Sequence, residues 1–196
     1  WDIKAPTPIS VLPGTIAGIK PIVFAKGRKI LVYAGNSLHI FDIKTGKNLK
    51  TLDLGPSEYK KQHIHLFDGD RVLMLRGYSK AFELWDIKKG TRLKHFPYDP
   101  KIAGYVYDPK CKCVLSWTRD GDAVVRKMTS GAVISRFAVE GAGEKGLAGM
   151  QIFGKGRKIM STLSGGVTQI WDLKKGRQIH LMDHSLPITE GWLSDD

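Results

Sequence analysis

The sequence predicts an all-β fold built from a repeated unit of four short antiparallel strands, and three observations predict it. First, residues 82–96 read FELWDIKKGTRLKHF, with weaker copies at 38–52 (LHIFDIKTGKNLKTL) and 168–182 (TQIWDLKKGRQIHLM). In each copy an alternating apolar run ends in an aromatic residue and Asp, turns through Lys and Gly, and leaves as a second apolar run, which is the pattern of a β-hairpin. Second, the turn glycine recurs at Gly46, Gly90, Gly131 and Gly176, a period of roughly 40–45 residues that suits four short strands and not the roughly 34 residues of a helical-pair repeat. Third, no stretch sustains a helical period.

Taken in order, residues 1–12 supply the tail of an incomplete unit, with a last strand at 8–12 and Pro13-Gly14 as the turn that leaves it. The first full unit has strands at 19–24, 29–33, 38–42 and 49–52, and the second at 63–67, 71–75, 82–86 and 93–96. Strands at 104–107, 113–118, 123–127 and 133–139 make the third, and those at 150–153, 158–163, 167–172 and 178–182 the fourth. Each run is short, rich in β-branched or aromatic residues, and bounded by Gly, Asn, Asp or Lys. The third unit is degenerate, because Arg126 and Lys127 stand where the others have an aromatic and Asp. Residues 184–196 read as the opening of a further unit.

With 196 residues, 42% of them hydrophobic and 26% charged, the composition is that of a globular protein, and the longest apolar runs are of strand length, too short to cross a bilayer. The chain begins at Trp1, inside a repeat motif, and reads as a single repeat segment over 1–196 cut within units at both ends. No signal peptide is visible. Cys111 and Cys113 are the two cysteines. A bridge between strand residues two apart needs a strained backbone, and two thiols cannot complete a four-ligand zinc site, so they read as reduced thiols. That favours a reducing, intracellular compartment.

The Trp1-Asp2, Trp85-Asp86 and Trp171-Asp172 pairs, the Phe41-Asp42 variant and the Ser116–Gly121 stretch SWTRDG resemble the WD40 repeat. His184 with Ser194-Asp195-Asp196 is similar to the opening of such a repeat, and residues 31–47 are similar also to the repeats of quinoprotein-type propellers. The resemblance implies a β-propeller segment: about four complete blades and two part-blades of a larger ring, usually of seven. Phe41, Trp85 and Trp171 are then packing between blades, with Asp42, Asp86 and Asp172 tying down the next turn.

The net charge of +12 directs attention to anionic partners. In a four-stranded meander the first and third turns emerge on the same side. That side collects Lys26, Arg28, Lys29, Lys88, Lys89, Lys155, Arg157, Lys158, Lys174, Lys175 and Arg177 as candidate anion- or partner-binding residues. Lysine beside turn glycine also serves solubility and guards sheet edges, so a solvated turn is the competing reading. The expected function is a non-catalytic WD40-like scaffold for other proteins. The alternatives are an RNA-associated propeller that grips phosphates through the basic rim and a small-ligand or quinoprotein-like propeller. No phosphate loop, nucleophile elbow or metal-binding His motif is present, so neither enzyme activity, nor a cofactor, nor a metal is expected.

Overall fold

The computed structural model describes residues 21–34, 36–54, 63–67, 71–76, 81–97, 99–184 and 186. The expectations placed on residues 1–20 and, in the closing segment, on 185 and from 187 onward lie outside the described residues. The chain divides into two compact units, Trp1–Pro97 and Tyr98–Asp196.

The first unit holds two four-stranded antiparallel sheets. Strands β1 (Ile22–Phe24), β2 (Lys29–Ala34), β3 (Ser37–Asp42) and β4 (Asn48–Asp53) form one, and β5 (His63–Phe67), β6 (Arg71–Arg76), β7 (Ala81–Asp86) and β8 (Thr91–Pro97) the other. The second unit repeats the plan with β9 (Ile102–Asp108), β10 (Cys113–Thr118), β11 (Asp122–Lys127) and β12 (Val133–Ala138), then β13 (Leu147–Phe153), β14 (Lys158–Leu163), β15 (Val167–Asp172) and β16 (Arg177–Asp183). Between these two sheets in the chain lies the one helical turn among the described residues, α1 (Ala142–Lys145), flanked by two glycines of positive φ, Gly141 and Gly146. Every sheet is a meander in chain order.

The repeat motif explains the shared geometry. In all four sheets the pairing of the third and fourth strands slips by one residue, between Ile40 and Phe41, Leu84 and Trp85, Val125 and Arg126, and Ile170 and Trp171. This repeated β-bulge turns the chain just before the glycine. Each turn glycine has positive φ and donates its N–H to the carbonyl four residues back, on Asp42, Asp86, Lys127 and Asp172 respectively. The second strands β10 and β14 are buried along nearly their whole length, their Ser and Thr included, whereas β11 alternates between buried and more exposed positions. β16 is exposed along its whole length.

One core, within the first unit, gathers Leu31, Tyr33, Leu38, Ile40, Leu52 and Ile87. The other packs Cys113, Leu115 and Val125 of the third sheet against Ile159, Leu163 and Trp171 of the fourth.

The propeller expectation is corrected by this architecture. The sheets are separate and flat, none of them curls or closes, and no ring of blades is shown. The reason is physical: a hairpin period and its turn glycine fix a four-stranded meander, whereas a ring depends on how meanders are arrayed, and short local motifs do not encode that.

Candidate anion-binding cleft

The degenerate repeat is where the structure departs most from its own plan. Phe41, Trp85 and Trp171 occupy the position just past the bulge in three sheets, and Arg126 occupies it in the third. Phe41 and Trp171 are buried. The ring of Trp171 stacks on Phe137, with centroids 4.6 Å apart, and its Nε1 donates to Ser161 Oγ at 3.0 Å. Arg126 puts a guanidinium at the equivalent place and makes a single long hydrogen bond, from Nη1 to Gly131 O at 3.5 Å.

The neighbouring strand supplies a second guanidinium. Two residues before the aromatic position, each sheet pairs its third strand with its fourth: His39 with Thr51, Glu83 with His95, Val124 with Arg136, and Gln169 with Leu181. In the second sheet this site is a closed network. Glu83, 1% exposed, accepts from Trp85 Nε1 at 2.9 Å and Arg92 Nη1 at 3.1 Å, with His95 Nδ1 at 3.6 Å. With Val124 in the place of Glu83, Arg136 has no carboxylate directly opposite it in the third sheet.

Burial first, and then the nearby Arg136 guanidinium, push the pKa of Arg126 below its ordinary value. Arg126 is half-buried and Arg136 exposed, and a like charge near a half-buried guanidinium is unfavourable in the absence of an anion. Both line a cavity of about 470 Å³ together with Trp117, Phe137, Ile102, Val124, Ser116 and Thr118. Asp99 and Asp122 also border it, but the charged neighbour that shifts Arg126 is Arg136. The Asp99 carboxylate is turned to its own loop, where Oδ1 accepts Lys101 N–H at 2.8 Å. Trp117 takes its place because its β9 partner is Gly104, over which the indole lies closely enough to exclude any Cβ. A cavity of this volume, in which polar and apolar groups share the lining, has room for a small ligand. Paired guanidiniums select a planar anion such as carboxylate.

The residues singled out in the sequence sit elsewhere. Lys26, Arg28 and Lys29 are in or beside the first turn of the first sheet and Lys88 and Lys89 in the third turn of the second. Lys155, Arg157 and Lys158 belong to the first turn of the fourth sheet, and Lys174, Lys175 and Arg177 to its third. All but Lys29 are exposed. Backbone bonds join first and third turns of one sheet, from Ile43 N to Arg28 O at 3.0 Å and from Leu173 N to Arg157 O at 2.9 Å. The Arg28 and Arg157 side chains fold back on their own turns, each Nε donating to a carbonyl three residues earlier at 3.3 Å. Lys158 Nζ lies 5.9 Å from the centre of the Phe153 ring. The Asp carboxylates cap the turns: Oδ1 of Asp42, Asp86 and Asp172 accepts the N–H of Thr45, Lys89 and Lys175 at 2.8, 2.9 and 2.8 Å.

These cations decorate the ends of separate sheets, with no ring to join them, so the common basic rim expected for RNA is corrected together with the propeller scaffold. No protein-family model matches the chain, and no curated protein matches it significantly. The likeness to WD40 and quinoprotein-type repeats therefore rests on short motifs alone. Among the described residues, no helix is long and apolar enough to cross a membrane, and no group of three or more His, Cys, Asp or Glu is placed to hold a metal. The cysteine reading is also corrected: Cys111 and Cys113 are joined in a disulfide.

Counting lysines concealed the cleft. The signal that would have found it is Arg126 at the aromatic position of the repeat, with Arg136 ten residues later across from an apolar Val124.

Proposed function

We propose that the chain is a non-catalytic binding domain that captures a carboxylate carried on an apolar or aromatic body. The observation that carries this reading is that Arg126 and Arg136 line one cavity beside Trp117 and Phe137, the second guanidinium lowering the pKa of the first, and that neither forms an ion pair with the Asp99 and Asp122 that share the lining. The carboxylate would accept from both guanidiniums, while its apolar body would lie against Trp117 and Phe137. The carboxylate is carried by a free small molecule or by an acidic side chain of a partner protein, and the test separates the two.

The experiment is calorimetric titration of the whole chain with an aromatic carboxylate, with its uncharged amide, and with an acidic peptide containing an aromatic residue. The carboxylate is expected to bind and the amide not to. Arg126→Met and Arg136→Met should each weaken binding by about 1.5–3 kcal/mol, the worth of hydrogen bonds to a charged group. Binding of the peptide but not the small acid assigns the ligand to a protein. Equal binding of acid and amide, or full affinity in both variants, would overturn the proposal.

A further inference from the structure

The Cys111–Cys113 disulfide contributes little to the fold. It encloses a single residue, Lys112, and the entropy gained by cross-linking is smallest for the shortest loops. The hairpin that carries it is already closed by β9–β10 pairing, in which Cys113 lies opposite Asp108. Its two sulfurs are placed differently. Cys113 is fully buried in the core, whereas Cys111 is half-buried in the turn, where its N–H donates to Asp108 Oδ1 at 2.8 Å.

The two turns that meet at Cys111 carry more cations than anions, although the Asp108 carboxylate also lies there. A Cβ on Gly156 would lie 2.8 Å from the Cβ of Cys111, so the β13–β14 turn, with Lys155 and Arg157, is brought against the β9–β10 turn, with Lys110 and Lys112. Positive charge beside a sulfur stabilises its thiolate and draws in anionic reactants.

We propose that Cys111–Cys113 is a thiol–disulfide exchange site whose co-substrate is an anionic low-molecular-weight thiol. The incoming thiolate attacks Cys111 Sγ, the accessible sulfur. The bond to Cys113 breaks, and its electron pair leaves on Cys113 Sγ, which takes a proton from solvent. A second thiolate attacks the external sulfur of the mixed disulfide and releases Cys111 as a thiolate. Two external thiols are thereby oxidised to one disulfide while the protein disulfide is reduced to two thiols, and an external disulfide reverses the sequence.

The test exposes the whole native chain to glutathione, or to 2-mercaptoethanol as the less charged thiol, then traps free thiols with maleimide and counts them by mass. Reduced glutathione is expected to reduce the native protein, and oxidised glutathione to leave a mixed disulfide on Cys111 in Cys113→Ser, releasing one glutathione thiolate, with no adduct in native Cys111→Ser. The glutathione rate should fall several-fold in high salt and in the Lys155→Glu/Arg157→Glu double variant, more steeply than the 2-mercaptoethanol rate. Reduction only after denaturation, free thiols in the air-oxidised protein, or equal salt dependence for both reagents would overturn the proposal.

Discussion

Lys112 shows how one residue's conformation decides what a sequence spacing can do. Cysteines two apart on a strand cannot bridge without strain, but β10 begins at Cys113, and Cys111 belongs to the turn before it. Lys112 adopts a left-handed φ of 51° and brings the two Cα atoms to 5.2 Å, inside the ordinary disulfide range. Gly104 is a second such residue, since any side chain there meets the Trp117 indole. Gly104→Ala is expected to destabilise the protein by about 1–3 kcal/mol through overpacking, and to weaken ligand binding by displacing the cleft wall. Chemical denaturation and titration of the same variant check both effects. Asp42 gives a pH prediction. Its pKa is lowered from 3.8, first by the backbone N–H of Thr45 and then by the Thr45 hydroxyl. A carboxyl depressed in the folded state stabilises the fold above its unfolded pKa, and that contribution is lost as pH falls through the lower folded value. Asp42→Asn should therefore lose part of the stability decline seen in the parent below pH 3.8, as read by denaturation across the acid range.

At the scale of the element, one bulged hairpin serves four sheets, and the residue just past the bulge sets each sheet's role. An aromatic there packs: Trp171→Ala should cost about 3–5 kcal/mol, because it empties a buried site and removes the Phe137 stack. An arginine there lines a cavity and makes no ion pair among the described residues. Arg126→Phe restores the residue type of the other repeats and relieves the repulsion with Arg136. It is expected to stabilise the fold by about 0.5–2 kcal/mol, the usual gain from filling a cavity or relieving surface charge, while abolishing carboxylate binding. Thermal unfolding and titration measured together distinguish this trade from simple damage.

At the scale of the whole molecule, the sequence revealed units and concealed their assembly. Alternating runs, turn glycines and Asp caps are local, and they made the sixteen strands of the described residues, in four meanders, legible almost to their ends. The α1 turn was not, because four residues between glycines carry no period. Nor was the array legible: Trp-Asp pairs report a hairpin's geometry, and a ring was inferred from them that the separate flat sheets do not show. The candidate site was half visible, since the break at Arg126 stands out when the repeats are set side by side, but Arg136 gains meaning only from β11–β12 pairing. Because each unit has its own core, hydrogen exchange is expected to resolve two opening free energies, one for each unit. A single shared value would contradict that.

The most direct measurement is a nuclear magnetic resonance titration of the whole chain with an aromatic carboxylate, monitoring the Trp117 indole N–H and the Arg126 Nε–H. Both resonances are expected to shift along one saturable curve, to stay fixed with the matching amide, and to stay fixed with the carboxylate in Arg136→Met. Resonances that do not move, or that move equally for acid and amide, would contradict the anion-binding cleft.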